Sequence, residues 1–343
     1  MGPQRKIWGR SGATLYSAQS MQKVGGELAL IQQIRRDSER RAGPGVSLGI
    51  GDDCAVLRPP RGHEVLVTTD FTLEGRHFRR DWHSPESAGH RTLARGLSDL
   101  AAMGARPLAA FLSLALPAAT PQAWITRYFS GLRDLADRYQ VPLAGGDTAQ
   151  SPTENVLADI VLVGSAPRGT ALRRSGARSG DLLYCTGSLG GAAGQLLSLQ
   201  EVGRKRKDAL GHPQLFPEPR GAVGEALRRR GVATACMDLS DGLSSDLRQL
   251  CDASQVAAVV ELSKIPLHPW ADGRMDLALN GGEDYELLFA ARPGTRVPRR
   301  IAGVPITCIG CFTSPRGVPQ VTQIKADGSK SEMPRGGWEH LRT

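Results

Sequence analysis

The sequence predicts an α+β fold built from two domains. Its apolar patterns indicate strands and helices that follow one another without the regular strand–helix–strand alternation of a doubly wound sheet. With 343 residues, 40% of them apolar, the chain is long enough for two medium-sized domains. A stretch rich in Arg, Gly and Ser, residues 167–180, separates two patterned regions. We therefore expect a leader over residues 1–21, an N-terminal domain over 22–166 and a C-terminal domain over 167–343.

The N-terminal region is expected to begin with a helix and to continue as a mixture of strands and helices. Leu28, Ile31 and Ile34 recur at helical spacing after a polar, aperiodic leader. Runs of β-branched and aliphatic residues indicate strands, and Pro121 suits the first turn of a helix. The predicted helices are 27–41, 86–103 and 121–139, and the predicted strands are Val65–Thr69, Phe111–Leu116, Val141–Ala144 and Val156–Val163.

The C-terminal region contains a glycine-rich segment where a helix is expected to start. The glycines between Gly187 and Gly194 could bring that helix N-terminus close to a phosphate, or they could simply allow close packing. Their spacing is not that of a dinucleotide fingerprint, and the chain has no P-loop motif. The predicted strands are Leu182–Thr186, Val256–Leu262 and Tyr285–Ala290. Three helices are predicted: one that begins near Gly190, one over 219–230 and one over 243–253.

Composition and charge argue against several classes of protein. The chain has neither an uninterrupted apolar run of about 18 residues nor a secretory signal, so we expect a cytoplasmic protein without a membrane partner. A net charge of +9 is compatible with nucleic-acid binding, but the basic runs at 204–207 and 228–230 lack interleaved aromatic residues. Solvated faces explain those runs better, and nucleic-acid binding remains the less favoured alternative. The six cysteines form no complete metal-binding pattern and are expected to be reduced.

The distribution of aspartates carries the chemical information. Seven of them lie in five short segments with Gly, Ser or Thr at the edges of predicted elements. Any one could be only a cap or turn residue. Their repetition favours convergence on Mg²⁺, which prefers hard oxygen ligands, and on a polyanion such as ATP, because gathered carboxylates repel one another unless cations intervene. The segments are GIGDD (Asp52, Asp53), TTDFTLEG (Asp70), LSDLAAMGA (Asp99), GGDT (Asp147) and MDLSDGLSSD (Asp238, Asp241).

In order and spacing, these and neighbouring segments resemble the thiamine-monophosphate kinase family. The resemblance rests on GIGDDCAVL, TTDFTLEGRHF, LSDLAAMGARP, GGDTAQSP, LRRSGARSGD, MDLSDGLSSDL and GGEDYELLF. It implies ATP-dependent phosphorylation of thiamine monophosphate to thiamine diphosphate by direct in-line transfer, with several Mg²⁺ ions and no covalent enzyme intermediate. The main alternative is another member of the superfamily, such as aminoimidazole-ribonucleotide synthetase.

The same resemblance implies a set of site residues. The implied Mg²⁺ ligands are Asp53, Thr68, Thr69, Asp70, Asp99, Asp147, Asp238 and Asp241. The implied ATP contacts are Gly146, Asp147, Arg174 and Ser240, and the implied substrate contacts are His77, Glu283 and Trp338. Asp52 is left out because adjacent side chains on an extended segment point in opposite directions. An inter-domain salt bridge remains open for Arg174, and a packed C-terminal anchor remains open for Trp338.

The resemblance also implies the form of the assembly. We expect a two-domain subunit whose N-terminal mixed sheet pairs with a second subunit in a homodimer, with the metal–ATP site in a cleft beside that sheet. One departure from the family pattern concerns the segment after GGDT, where Ala149 and Gln150 replace the usual Thr-Arg. Any phosphate contact from that arginine must therefore be lost or supplied by another residue.

Overall fold

The computed structural model describes residues 27–39, 43–202, 211–315, 317 and 320–338. The predicted leader and the basic run at 204–207 lie outside the described residues. Helix α1 (Glu27–Glu39) comes first and is followed by a short antiparallel pair, β1 (Val46–Leu48) and β2 (Val56–Leu57).

A four-stranded mixed sheet forms the centre of the N-terminal region. Its strands lie in the order β3-β6-β4-β5, with β4 and β5 parallel and the other pairs antiparallel. Two helices cover one face of this sheet and bury its aliphatic side chains. The elements are β3 (His63–Leu73), α2 (Pro85–Ala102), β4 (Arg106–Leu116), α3 (Gln122–Tyr139), β5 (Leu143–Gln150) and β6 (Leu157–Pro167).

The start of α2 follows from its local sequence. Ser84 precedes the helix in an extended conformation, and its side-chain oxygen accepts a hydrogen bond from the backbone N–H of Ser87. Pro85 occupies the first turn, where a missing N–H costs nothing. Leu93 and Leu97 then face the sheet and are almost completely buried. The helix is thus held between the sheet and the C-terminal region, and its polar residues can reach between them.

On the opposite face of the four-stranded sheet, large apolar side chains of β3 are not covered by any helix of the described residues. Along β3, burial alternates with the strand period, and Val65, Val67 and Phe71 are 51%, 65% and 62% exposed. Large apolar side chains in a contiguous exposed group usually mark an interaction surface. We call this group the outer sheet face.

The C-terminal region is built on a larger sheet. Seven of its strands lie in the order β14-β13-β9-β12-β7-β10-β8, and β11 pairs with β12. Apolar clusters cover both faces, and one of them includes Ala101 and Ala102 of α2, which joins the two regions. The strands are β7 (Leu182–Thr186), β8 (Ala235–Asp238), β9 (Ala257–Glu261), β10 (Leu287–Ala291), β11 (Arg300–Ile301), β12 (Val304–Thr313), β13 (Val321–Ile324) and β14 (Lys330–Glu332). The helices are α4 (Gly191–Val202), α5 (Gly221–Arg229), α6 (Leu243–Ser254) and α7 (Met275–Asn280).

The predicted α+β class is confirmed, and the element boundaries show where local patterns fall short. Strand β7 coincides with its prediction, but β5 continues six residues past the predicted end at Ala144, so GGDT lies inside a strand rather than after it. Asp70 and Asp99 likewise lie inside β3 and α2. Their prediction as residues at element edges is therefore wrong, because turn-forming residue types were taken as evidence of element ends. Strands β1, β2, β8 and β11 to β14 and helix α7 were not predicted.

Candidate active site

Nine of the predicted site residues line one cavity of about 310 Å³ between the two regions of the chain. The walls come from β3 and α2 on one side and from the segments after β8 and before β10 on the other. The predicted residues found there are Thr69, Asp70, His77, Asp99, Asp238, Ser240, Asp241, Glu283 and Trp338. We call this space the inter-domain cavity.

Asp99 and Asp238 are two neighbouring carboxyl groups of this cavity whose pKa values are both raised. Burial, together with the nearby charge of Asp238, raises the pKa of Asp99 to about 7, although the hydroxyl of Thr68 donates a hydrogen bond to it. Burial and the charge of Asp70 raise the pKa of Asp238, against the effect of a hydrogen bond of 2.7 Å from Ser98 Oγ. Carboxylates crowded in this way are stabilised when a cation joins them.

Arginine side chains reach into the same cavity from α2. Arg95 Nη2 lies 2.9 Å from Asp70 Oδ1, and Arg95 Nη1 lies 3.4 Å from Glu283 Oε1. Arg91, which is completely buried, contacts the same oxygen of Glu283 at 2.6 Å. Burial acts to raise the pKa of Glu283, but these two guanidinium groups outweigh it and hold that pKa below its ordinary value. Glu283 therefore remains an anion inside the protein.

The segment around Glu283 has an unusual backbone. Glu283 and Tyr285 have φ angles of 57° and 51°, and Gly282 between the loops has a φ of 68°. Non-glycine residues rarely adopt this region, so the surrounding contacts must hold them there. The N–H groups of Glu283 and Tyr285 donate to the carbonyls of Ser240 and Leu239 at 2.8 and 2.9 Å. The loop that carries Ser240 is thereby fixed to the loop that carries Glu283.

Asp284, within this segment, binds the glycine-rich start of α4. Its carboxylate accepts hydrogen bonds from the N–H groups of Gly190 and Ala192 at 2.7 and 3.2 Å. A Cβ at Gly194 would lie 2.1 Å from the carbonyl oxygen of Trp270. The helix N-terminus is thus already capped by a carboxylate, and close packing, rather than approach to a phosphate, explains these glycines.

The loop after β8 is held by a residue that the sequence analysis did not single out. Asp246 Oδ2 accepts hydrogen bonds from the N–H groups of Asp241 and Gly242 at 3.1 and 3.0 Å. The carbonyl of Asp241 in turn accepts from the N–H of Trp338 at 3.0 Å. A side chain at Gly337 could not fit, because its Cβ would lie 2.7 Å from that of Ser245. These contacts place the half-exposed indole of Trp338 at the cavity.

His77 and Arg174 occupy different positions relative to this cavity. His77 is buried, and its Nδ1 accepts a hydrogen bond of 3.0 Å from the N–H of Leu73 at the end of β3. Arg174 does not line the cavity, but its charge acts to lower the pKa values of both Asp99 and Asp238. It donates a hydrogen bond of 2.7 Å to Gln249 rather than forming the inter-domain salt bridge considered from the sequence.

A second cavity, of about 470 Å³, contains the remaining predicted residues of the GIGDD and GGDT segments. Its polar part is formed by Asp52, Asp53, Gly146 and Asp147, and its apolar part includes Phe111. Both aspartates of GIGDD line this cavity. The segment is a turn with Gly51 at a φ of 129°, so the argument from strand alternation that set Asp52 apart does not apply. We call this space the N-terminal cavity.

The register of the sheet separates the two groups of carboxylates. Phe71, Asp159, Ser113 and Asp147 are paired in one row across β3, β6, β4 and β5. Three strand spacings therefore lie between β3 and Asp147, about 14 Å. Two oxygens on one Mg²⁺ are only about 4 Å apart. Within one subunit, Asp147 and Asp70 cannot share an ion.

Thr68, Thr69 and Asp70 are also divided, because side chains alternate along β3. Thr68 and Asp70 face α2, where they contact Asp99 and Arg95. Thr69 projects from the outer sheet face, and its hydroxyl donates a hydrogen bond of 2.7 Å to Asp159. The side-chain oxygens of Thr69 and Asp70 therefore lie on opposite sides of the strand.

The donor chemistry fits a hard divalent cation, although the described part of the chain does not complete a site. No group of three His, Cys, Asp or Glu side chains among those residues converges closely enough to hold a metal ion. The donors are carboxylate and hydroxyl oxygens, which are the ligands Mg²⁺ prefers. Asp70 already holds a cationic group, the guanidinium of Arg95. The inter-domain cavity thus accommodates positive charge beside its carboxylates.

Sequence reasoning missed Arg91 and Arg95, although a signal for them was present. Arg91, Arg95 and Asp99 are spaced four residues apart and share one face of α2. The same face carries Ser98 close by, which donates to Asp238. A row of charged residues on a helix that is otherwise apolar could have marked this face. Asp159 gave no comparable signal, because it stands alone in an apolar strand.

Comparison with known proteins identifies the class to which this fold and site belong. Residues 51–166 match the family model for the N-terminal domain of AIR synthase related protein, and residues 178–297 match the model for its C-terminal domain. The chain therefore belongs to the AIR synthase-related family. The Escherichia coli K12 protein named thiamine-monophosphate kinase is 38% identical over 332 residues, which cover 93% of this chain and 99% of the relative. Within the larger family, the chain is thus a member of the thiamine-monophosphate kinase family.

Solved structures agree with this placement. A crystal structure of thiamine-monophosphate kinase from Stenotrophomonas maltophilia K279a is 36% identical, with a TM-score of 0.75 over 88% of this chain and 97% of that one. A structure described as AaThiL complexed with AMPPCP and TMP is 30% identical, with a TM-score of 0.70 over 92% and 97% of the two chains. No described helix of the present protein combines the length and apolar character that a membrane crossing requires.

Proposed function

We propose that this protein transfers the γ-phosphoryl group of ATP to the phosphate of thiamine monophosphate and so forms thiamine diphosphate and ADP. The observation that carries the proposal is the inter-domain cavity, which is lined both by the perturbed carboxylates Asp99 and Asp238 and by Glu283 and Trp338. The carboxylates suit metal-bound phosphates. An anionic carboxylate and an indole suit the cationic ring system of thiamine. One cavity thus offers both halves of the proposed reaction.

The proposed ligands of Mg²⁺ in this cavity are Asp70, Asp99, Asp238 and Asp241, with Thr68 supporting Asp99 through its hydrogen bond. Bound Mg²⁺ would neutralise the phosphate oxygens and so allow two anions to approach each other. The protein contributes position: α2 and the loop after β8 hold the carboxylates, and the cavity walls limit access of water to the reacting phosphates. No side chain is required to form a covalent intermediate.

For the substrate side, we propose that Trp338 and Glu283 contact the thiamine moiety and that His77 lines its phosphate end. Glu283 is suited to a cation because Arg91 and Arg95 hold its pKa below the ordinary value although the side chain is largely shielded from solvent. Trp338 is 48% exposed and lines the same cavity as Glu283. Ser240, which lines the cavity, and Arg174, whose charge acts on Asp99 and Asp238, are proposed to contact ATP.

The N-terminal cavity is proposed to complete the site from a second subunit. Asp53, Gly146 and Asp147 are the implied metal and ATP residues that the sheet register keeps away from Asp70. The outer sheet face, with Val65, Val67 and Phe71 exposed, offers the apolar surface for pairing two copies. Pairing through this face is proposed to bring the N-terminal cavity of one copy next to Thr69 of the other, at the border of its inter-domain cavity. A homodimer is therefore proposed as the active form.

The test is incubation of purified protein with thiamine monophosphate, ATP and Mg²⁺, with separation of products by chromatography. We expect thiamine diphosphate and ADP in equal amounts, and no product when EDTA is present. ADP formed only with formylglycinamidine ribonucleotide would instead assign the protein to aminoimidazole-ribonucleotide synthetase activity. Exposed Asp134, on the outside of α3, provides a control variant, Asp134→Asn, that should keep full activity.

A further inference from the structure

Arg95 occupies a position in the inter-domain cavity that no predicted role accounts for. It comes from the middle of α2, and its side chain is only 13% exposed. Nη1 donates hydrogen bonds to the hydroxyl of Tyr285 at 2.9 Å and to Glu283 at 3.4 Å. Nη2 donates to Asp70 at 2.9 Å. Arg95 thus links a proposed metal ligand to a proposed substrate contact.

The distribution of these bonds over the guanidinium group is uneven. Nη1 has two partners, both fixed parts of the strained segment before β10. The other edge, formed by Nε and Nη2, has only the carboxylate of Asp70, and the buried Nε has no acceptor among the described residues. A buried donor without an acceptor is energetically unfavourable. An additional oxygen acceptor at this edge would remove that cost.

The Nε–Nη2 edge of arginine is a fork that binds two oxygens of one phosphate in parallel. Asp70 now occupies one half of this fork. A divalent cation that binds Asp70 would compete with Arg95 for the same carboxylate, because both need its oxygen lone pairs. Once the carboxylate of Asp70 binds the cation, both Nε and Nη2 can donate hydrogen bonds to phosphate oxygens. Glu283 and Tyr285 meanwhile hold the guanidinium group in place.

We propose that Arg95 is a phosphate-binding residue of the transfer site. In the metal-free protein its guanidinium group pairs with the carboxylate of Asp70, which binds the cation when metal is present. Its ligand class is a phosphate group bound together with a divalent cation. This inference rests on the proposed function for its setting. The inference adds to the proposed function a positive charge supplied by the protein itself. This charge is the guanidinium group of Arg95, which is anchored by Glu283 and faces the transferred or the accepting phosphate.

The inference predicts two effects of Arg95→Gln in opposite directions. Affinity for Mn²⁺ in the absence of nucleotide, measured by electron paramagnetic resonance of free Mn²⁺, should increase about threefold or more, because a competing cation has been removed. The kcat for thiamine diphosphate formation should fall about 100-fold, because a charge on the transferring phosphate is lost. Arg95→Lys should recover part of kcat, since it restores the charge without the fork.

The matched control is Arg133→Gln. Arg133 is a similarly shielded arginine whose one carboxylate partner among the described residues is Asp37, at 2.7 Å, and it lies on α3 without lining either cavity. This variant should change neither Mn²⁺ affinity nor kcat. Thermal unfolding of all variants shows whether any of them is only destabilised.

Two results would overturn the inference. One is unchanged or weaker Mn²⁺ binding by folded Arg95→Gln, and the other is a kcat within twofold of the Arg133→Gln control. If the protein does not act on thiamine monophosphate, the proposed function fails, but the inference is still tested with pyrophosphate as the probe. In that case Arg95→Gln should weaken Mn²⁺-dependent pyrophosphate binding about tenfold or more, and an unchanged affinity would overturn the inference alone.

Discussion

Asp99, in the last turn of α2, faces Asp238, at the end of β8. Burial is the largest cause that raises the pKa of Asp99 to about 7, and the charge of Asp238 is the second largest. The two carboxylates would not be held together by their own interaction. They are held by packing and by the hydroxyls of Thr68 and Ser98. This juxtaposition is unfavourable in the metal-free protein and becomes favourable when a cation is bound.

The first prediction concerns the stability of the metal-free protein. Because the folded-state pKa of Asp99 lies above its unfolded value of about 4, the folded protein binds the additional proton, and ionisation destabilises it as pH rises from about 4 to 7. Asp99→Asn should therefore raise Tm in EDTA, and the increase should be larger at pH 8 than at pH 5. Differential scanning calorimetry of Asp99→Asn and of the exposed control Asp134→Asn measures this. An equal shift at both pH values would contradict it.

The second prediction concerns the proposed metal ligands in both cavities. Asp70→Asn and Asp147→Asn should each lower kcat by at least about 100-fold at limiting Mg²⁺, because an amide oxygen is a much weaker ligand than a carboxylate. The fold should be unchanged by circular dichroism. Steady-state kinetics over a range of Mg²⁺ concentrations provides the measurement. Near-normal turnover of Asp147→Asn at limiting Mg²⁺ would remove that residue from the ligand set.

The third prediction follows from the separation of Asp70 and Asp147 across the sheet. If each site combines Asp70 of one subunit with Asp147 of the other, a mixed dimer of the two inactive variants has one site with both native residues. Denaturing and refolding an equimolar mixture should restore about a quarter of the native activity, since half of the dimers are mixed and half of their sites are intact. A mixture that stays inactive, although mass spectrometry detects mixed dimers, would show that both residues act within one subunit.

The fourth prediction concerns the outer sheet face. Phe71→Asp and Val67→Asp place a charge on a surface that is proposed to be buried between subunits, and they should shift the protein to a monomer. Sedimentation velocity measures the mass, and the kinase assay should show a parallel loss of turnover. A monomeric but fully active Phe71→Asp would contradict the role of the dimer. Val56→Asp, at an exposed position on another strand pair, is the control for an added charge.

The fifth prediction concerns recognition of thiamine. Trp338→Leu should raise KM for thiamine monophosphate about fivefold or more while KM for ATP stays within twofold, because a cation–π contact contributes about 1 kcal/mol or more. Trp338→Phe should have a smaller effect. Glu283→Gln is a poorer probe, because it would leave the buried Arg91 without its carboxylate. Equal changes in both KM values would place Trp338 outside the substrate site.

The sequence predicted the acidic residues better than it predicted their arrangement. The order of short aspartate segments was sufficient to name Asp70, Asp99, Asp238 and Asp241, and all four meet in one cavity. The positions of Asp70, Asp99 and Asp147 at element edges were predicted wrongly, because Gly, Ser and Thr were interpreted as turn signals where β3, α2 and β5 continue. Strand register is a non-local property, and it alone keeps Asp147 away from Asp70.

The role of Arg95 could not be predicted from the sequence for a related reason. An arginine on a long helix is usually a solvated residue, and only the docking of the C-terminal loop brings Tyr285 and Glu283 to it. The positive φ angles of Glu283 and Tyr285 also have no local sequence signal, since neither is a residue type that favours that region. Contacts between the two regions of the chain impose both features.

The most direct test of the account is a crystal structure with Mn²⁺, a non-hydrolysable ATP analogue and thiamine monophosphate, with the ions located by anomalous scattering. We predict Mn²⁺ peaks about 2.2 Å from carboxylate oxygens of Asp70, Asp99 and Asp238, joined to the nucleotide phosphates. We also predict the phosphate of thiamine monophosphate in line with the terminal phosphate of the analogue. An inter-domain cavity free of ions, with the nucleotide bound elsewhere, would contradict it.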